Sequence, residues 1–507
     1  MSSITPSRYQ GVPDLRIRAA NERPITKERD YVLYWMTSAR RPRWNFALER
    51  AVEHADSLGK PLLVLEGLRC DYRWASDRHH RFVIRGMREN RRAFEDAGVR
   101  YLPYVEPRKG DGKGLLEALA RRACLVVGDD YPAFFLPRML DAAAEKLDVR
   151  LELVDGNGLL PMRQPQREFT RAFSLRIHLQ KHLPPHLWHF PALNPLARKD
   201  LSGAVVARDV LDRWSLASAE LLDGEGAAGL EELPIDHDVA PVESLPGGWQ
   251  AGDTRVKSFV DDRLAAYGEE RNEPEKDASS GLSPWLHFGH VSVHQVLERI
   301  TARTKWSLDD VSDEPRGGAR EDWWGADAST EAFLDELVTW RELGFNCCHE
   351  RADYDRYESL PDFALTTLAE HAADPREHVY TLEEFETART HDPLWNSAQM
   401  QLVREGRIHN YLRMLWGKKI FEWSNSPREA LDVMIELNNK YALDGRDPNS
   451  YSGIFWVLGR YDRAWGPERP VFGKIRYMTS ANTARKVRVK GYIEKWAPED
   501  AQGSLFG

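Results

Sequence analysis

The sequence predicts an α/β N-terminal domain built on a doubly wound parallel sheet, followed by a large all-α C-terminal domain. Three observations carry this. Between residues 30 and 155, five short apolar runs alternate with amphipathic stretches, the pattern of a parallel sheet with helices on both faces. From about residue 251 the apolar spacing is helical almost to the end of the chain. Between the two, "LLDGEGAAGLEELPIDHDVAPVESLPGGWQAG" is acidic and rich in glycine and proline, the composition of a linker.

The elements follow in order. "YVLYWM" (31–36) is apolar throughout, as a strand covered on both faces must be, and a helix follows through "RWNFALERAVEHADSLG". Further strands are expected at "PLLVLEG" (61–67), "VRYLPYV" (99–105), "CLVVGDD" (124–130) and "VRLELVD" (149–155), with helices between them. The expected division is an arm over 1–29, the α/β domain over 30–155, a linker with helical segments over 156–250, the helical domain over 251–496 and a tail over 497–507. In the helical part, Ser426-Pro427 is a helix start, with serine as cap and proline in the first turn. "SLDDVSDEPRGGAREDWWGADAST" (307–330) is polar and glycine-rich and reads as a surface insertion.

Composition narrows the function. The 507 residues are 42% hydrophobic and 29% charged, an ordinary globular balance. No run approaches the roughly 18 apolar residues of a membrane span, and "MSSITPSRYQGVPDL" lacks the apolar region of a secretory signal. The cysteines, Cys70, Cys124, Cys347 and Cys348, show no metal-ligand spacing, so a cytoplasmic protein without a metal is expected. No GxGxxG or P-loop appears. The net charge of −9 argues against a nucleic-acid partner, yet Arg460 to Lys495 holds ten bases against three acids, the footprint of a phosphate-backbone binder or simply a solvated face. Seventeen tryptophans also suggest that aromatic faces serve more than the core.

Four features carry chemistry. In "SSGLSP", Ser280 and Ser283 can donate to a pyrophosphate while Gly281 lets the backbone approach. Arg413 and Asp444 are a candidate guanidinium–carboxylate pair. Glu336 and Trp340 stand at i and i+4 on one helix face. Trp416 and Trp423, seven residues apart, fall on one side of a helix, with Trp395 upstream. Taken singly, the plain readings are a helix cap, a salt bridge, a surface charge and core packing.

In order along the chain, "SSGLSPWLHFGH" (279–290), "HDPLWN" (391–396), "RIHNYLRM" (407–414), "LDGRDPNSYSG" (443–453) and "ERPVFGKIRYM" (468–478) resemble the photolyase/cryptochrome family, most closely its class II cyclobutane pyrimidine dimer photolyases. The resemblance spans essentially the whole chain. It implies an antenna-type α/β domain, a helical domain that binds FAD, and blue-light splitting of pyrimidine dimers in double-stranded DNA. It also implies an antenna pigment in the N-terminal domain, a deazaflavin or another chromophore, or none.

By the same resemblance, FAD is held by Tyr267, Ser280, Leu282, Ser283, Asn396, Arg413, Asn438, Asp444 and Asp447, with Asn438 opposite flavin N5. Trp416, nearest the flavin, Trp395 and a surface Trp423 form an electron relay. Glu336, Trp340 and Trp456 clamp the dimer, with the two indoles as its aromatic walls, and Arg271, Arg463, Lys474 and Arg476 meet DNA. The protein is expected to be a monomer. Asn410 stands where the class has glycine and Asn439 where it has aspartate, and the 307–330 insertion is extra. The alternative is a cryptochrome-like light sensor without repair. It would share FAD and the relay but need neither the clamp nor the basic stretch, and it would be expected to carry a long signalling tail, which does not follow residue 496. A light-independent flavin electron carrier would leave the basic stretch unexplained.

Overall fold

The computed structural model describes residues 11–197 and 201–498. The chain divides into two units. One comprises residues up to 166, 179–261 and 281–314; the other comprises 167–178, 262–280 and 315 onward. The expected parting near 251 is therefore not where the units separate, because residues 281–314 belong with the sheet.

The first unit is a six-stranded sheet: β1 (Ile17–Ala19), β2 (Tyr31–Met36), β3 (Leu62–Leu68), β4 (Arg100–Val105), β5 (Ala123–Asp129) and β6 (Leu151–Val154). Their order is β1-β6-β5-β2-β3-β4, with β1 antiparallel to β6 and all other pairs parallel. Helices α1 (Phe46–Leu58), α2 (Asp77–Asp96), α3 (Leu115–Ala120) and α4 (Leu136–Lys146) connect the strands. Along β2 the faces alternate: Tyr31, Leu33 and Trp35 enter one core, Val32, Tyr34 and Met36 the other. The chain runs outward from β2 to β4, then returns to β5 on the other side, so the order reverses beside β2.

Two expectations are corrected. The described part of the 1–29 arm is not separate from the α/β domain: it supplies β1, and the buried Arg16 donates to the carbonyls of Gly158 (3.1 Å) and Leu159 (2.7 Å). The 156–250 stretch is not a free linker either. Its Leu222, Leu230 and Leu233 pack against Val83, Ile84 and Met87 of α2, and Arg81 donates to the carbonyls of Gly226 (2.7 Å) and Leu221 (3.1 Å). Few apolar residues suffice when a neighbouring helix gathers them, which composition alone does not register. The first ten residues of the arm and residues 499–507 of the expected tail lie outside the described residues.

The second unit is helical. The helix Ala328–Leu334 continues as a π-helical segment, Asp335–Trp340, and then as the helix Arg341–Glu350. The helices Pro393–Glu405, Asn410–Trp423, Pro427–Tyr441 and Pro448–Val457 follow. Ser426 accepts from the Glu429 N–H (3.2 Å) as expected, Asp392 caps through Trp395 N (3.0 Å), and Asp447 through Asn449 N (2.8 Å). Gly417 lets the helix Asn410–Trp423 approach the helix Pro448–Val457, since a Cβ there would strike Val457 Cγ2 and Met434 Sδ. The insertion is anchored: Trp323 and Trp324 are buried, and Glu331 accepts the N–H groups of Asp322 (2.8 Å) and Gly325 (3.0 Å).

Candidate functional site

At the start of the helix Asn410–Trp423, Arg413 forms a two-pronged pair with Asp444, Nη1–Oδ2 at 3.1 Å and Nη2–Oδ1 at 3.0 Å. The side chains keep 25% and 14% of their exposure, so the pair lines an open face. Arg413 Nε and both ring nitrogens of His409 are buried without a hydrogen bond among the described residues. Buried polar atoms of this kind ask for a partner. A large polar ligand at this helix start would provide one, and the donor set (guanidinium, imidazole, first-turn N–H groups) suits an anionic, heteroaromatic cofactor such as FAD.

The other expected cofactor residues divide. Asn438 is buried and donates to Ser450 Oγ (2.6 Å) and Asn439 Oδ1 (3.3 Å), while Asn439 accepts Arg446 N (2.9 Å). Asp447 spends one oxygen on its helix cap. Asn396 holds the turn at Thr390, accepting from Thr390 N (3.1 Å) and Oγ1 (2.7 Å) and donating to its carbonyl (2.9 Å). Tyr267 is buried edge-on to Phe333, which pushes its hydroxyl up to about 12. Ser280 is half-buried in the helical unit. In the other unit, Gly281 has φ +62 and faces Arg255, Leu282 is buried, and Ser283 opens a five-residue helix.

Trp395, Trp416 and Trp423 come together. Trp416 Nε1 donates to Gln399 Oε1 (2.9 Å), Trp395 Nε1 donates to the Trp416 carbonyl (3.0 Å), and the Trp395 and Trp423 rings stand 6.0 Å apart at 70°. Trp423 is not at the surface: it is 3% exposed. Tyr380 (5.7 Å) and His391 (4.9 Å) lie edge-on against it, and Lys419 Nζ sits 5.2 Å from its ring centre. Lys419 is on the same helix, but Tyr380 and His391 come from a separate segment, which helical spacing along residues 410–423 cannot reveal.

The dimer clamp also differs from expectation. The π-helical segment, in which Arg341 N bonds the Glu336 carbonyl five residues back, carries both Glu336 and Trp340. Glu336 Oε1 accepts Arg271 Nη1 at 2.9 Å. Burial pushes its carboxyl up against the pull of Arg271, and the net shift is upward. Asp335, its neighbour, is fixed by Arg176 (2.9 and 3.2 Å), which also donates to the Gly318 carbonyl of the insertion (3.1 Å). Trp340 and Trp456 are not walls with a space between them: they stack on each other at 4.6 Å and 17°. Two half-exposed indoles gain by covering one another.

The basic stretch is partly surface. Arg460 is buried and donates to the Tyr354 carbonyl (2.7 Å). Arg463 and Arg476 are exposed and flank Trp465 at 5.0 and 5.4 Å from its ring centre, and Lys474 pairs with Glu468 at 3.1 Å. This loop is pinned from below: Asp374 accepts Val471 N (2.8 Å), and Thr367 Oγ1 accepts Lys474 N (3.0 Å).

In the α/β unit, the first three amides of the loop that follows β2 at the strand-order reversal are taken up by one carboxylate. Asp129 of β5 accepts the N–H groups of Thr37 (2.7 Å), Ser38 (2.7 Å) and Ala39 (2.9 Å). Beside it, after β3 and β5, Tyr72 lies parallel to His80 (6.0 Å, 6°), and Phe134 contacts Tyr72, Trp74 and Phe135.

A mostly parallel sheet in one unit and, in a helical unit, an arginine–carboxylate pair near clustered indoles define the photolyase/cryptochrome class of flavoprotein. Solved structures of that class share the fold. A bacterial class III photolyase from Agrobacterium tumefaciens has a TM-score of 0.66 at 18% identity, over 92% of this chain and 86% of its own. No family model matches. The deoxyribodipyrimidine photo-lyase of Methanothermobacter thermautotrophicus is 34% identical over 486 residues, 95% of this chain and 97% of that protein. That of Oryza sativa subsp. japonica is 36% identical over 481 residues, 91% and 86%. The chain belongs to the deoxyribodipyrimidine photo-lyase family, whose members are FAD-binding DNA repair lyases.

Proposed function

We propose that this protein is a class II-type photolyase that splits cyclobutane pyrimidine dimers in double-stranded DNA. FAD, once bound and reduced, supplies the electron for this under blue light. The observation that carries the reading is one group in the helical unit: Glu336 paired with Arg271, and the half-exposed stack of Trp340 and Trp456.

In this reading Arg413 and Asp444 hold FAD, with His409, Asn438, Asp447, Tyr267, Asn396 and Ser280 of the same unit around it. The flipped dimer replaces the indole–indole contact with its own stacking on Trp340 and Trp456, offsetting the few kcal/mol of unstacking. Glu336, its carboxyl held upward by burial, donates a hydrogen bond to a pyrimidine carbonyl when protonated, and Arg271 balances charge there. Arg463, Arg476 and Lys474 meet phosphates. Trp416, Trp395 and Trp423 pass an electron inward to ready the cofactor.

For the α/β unit the reading is a planar pigment without a phosphate, if an antenna is present. The support is that Asp129 occupies the loop amides while aromatic rings gather at the same sheet edge. The four cysteines are free and buried, which fits a reducing cytoplasm, and a monomer completes the reading.

The test is the absorption spectrum of the purified protein, then blue light with dimer-containing duplex. A flavin spectrum and disappearance of dimers are expected. A flavin that responds to light while dimers persist would favour the cryptochrome-like sensor.

A further inference from the structure

Lys418 lies on the helix Asn410–Trp423 yet is 1% exposed, among the most completely buried large side chains of the protein. Its Nζ donates to the Val457 carbonyl at 2.5 Å. Val457 is the last residue of the helix Pro448–Val457 and follows Trp456 directly. Gly417 makes the contact reachable by letting the two helices meet closely. Nothing in the cofactor or relay chemistry uses this ammonium, and burying one is costly unless it is held by a specific partner.

We propose that Lys418 is a positioning residue of the lesion pocket: its ammonium ties down the Val457 carbonyl and thereby fixes Trp456 against Trp340. This rests on reading Trp456 as part of that pocket. A cation at a helix C-terminus is favoured by the exposed carbonyls and the helix dipole, and a charge-assisted hydrogen bond is roughly twice as strong as a neutral one. The charged groups acting on Lys418 are Asp462, which favours the ammonium, and Arg476, which opposes it. Its neighbour Lys419 is turned to Glu422 (2.6 Å) and Trp423. Both Asp462 and Arg476 belong to the Trp465 loop, where Asp462 accepts Trp465 Nε1 (2.8 Å) and Arg476 lies over the ring. Lys418 therefore links the end of the helix that carries Trp456 to the charges of the loop read as the DNA contact. Burial lowers its ammonium to about 7, so its charge is lost across the neutral range. The indole stack and the preference for lesions should then weaken as pH rises through neutrality.

The experiment compares the FAD-loaded wild type, Lys418→Met and Trp456→Phe from pH 6 to 9. Methionine keeps the straight chain and volume. The Trp340–Trp456 coupling is read from near-ultraviolet circular dichroism as the difference from Trp456→Phe, and binding is read by anisotropy on dimer-containing and undamaged duplexes. The expected result is a wild-type coupling and lesion-to-undamaged affinity ratio that both fall through pH 7, the ratio by about tenfold. Lys418→Met should show low, pH-flat values of both, with thermal stability and FAD content undiminished. A Lys418→Met protein that keeps the wild-type coupling and pH step would overturn the inference, as would a wild-type coupling that is flat with pH. A pH-dependent coupling without any lesion preference would support the placement of Lys418 and sink the repair reading instead.

Discussion

Trp416 and Trp395 give their indole protons to a side-chain amide and a backbone carbonyl, Gln399 Oε1 and the Trp416 C=O. Neither acceptor takes up a proton at neutral pH, so an indole oxidised at either position would keep its proton, as the proposed relay requires. Trp416→Phe should therefore abolish photoreduction of bound FAD while costing about 1–2 kcal/mol of stability, and repair by chemically pre-reduced protein should persist. Spectra under blue light with an external reductant check this; normal flavin reduction would return the indoles to a packing role. Asp444→Ala leaves the Arg413 guanidinium without its carboxylate beside the cofactor. Because the pair is partly exposed, a loss of about 1–3 kcal/mol is expected, enough for much of the protein to purify without FAD. A fully yellow variant would contradict that role. Lys418 gives a stability signature with a definite sign. Its folded value near 7 lies below the ordinary 10.5, so between those values the unfolded chain binds the additional proton. Stability from this group thus rises with pH across that window, and a pH series of denaturant titrations should show that slope removed in Lys418→Met.

The π-helical segment Asp335–Trp340 is the element on which the proposed clamp depends. Its extra residue shifts the helix Arg341–Glu350 in register against the helix Ala328–Leu334, with Glu336 and Trp340 at the junction and Asp335 held by Arg176. Deleting Thr339 should restore α-helical winding and rotate Glu336 relative to the helix Arg341–Glu350 that follows, with FAD retained and lesion preference lost. Binding to damaged and undamaged duplex measures this; an unchanged preference would separate the segment from recognition. This element also marks the limit of sequence reading. The i, i+4 spacing of Glu336 and Trp340 was visible in the sequence, but the π geometry was not, since it comes from a one-residue excess set by packing. The strands were legible because 31–36 and 124–130 are apolar without interruption, as a covered parallel sheet requires. β1 was not, because "IRA" is three residues made a strand only by pairing with β6. The grouping of Trp395, Trp416 and Trp423 was legible, yet the burial of Trp423 depends on Tyr380 and His391, which arrive from another segment. In the basic loop, Glu468 holds Lys474, so Glu468→Gln should tighten DNA binding and steepen its salt dependence by about one unit of log–log slope. An unchanged slope would leave Lys474 out of the phosphate contacts.

For the whole molecule, a net charge of −9 and a DNA-repair role are compatible because the positive charge is local: Arg463, Lys474 and Arg476 stand together on one pinned loop, although Arg460 is turned into the core. In the proposed function that loop, the indole stack and the cofactor cradle serve one light-driven repair reaction. It is tested most directly by illuminating a duplex that carries a single thymine dimer with chemically reduced wild-type protein and counting the dimers that remain. Light-dependent loss of the dimer is expected, equally with Trp416→Phe, and little loss with Trp456→Ala. Persistence of the dimer with a reduced, FAD-loaded wild type would contradict it.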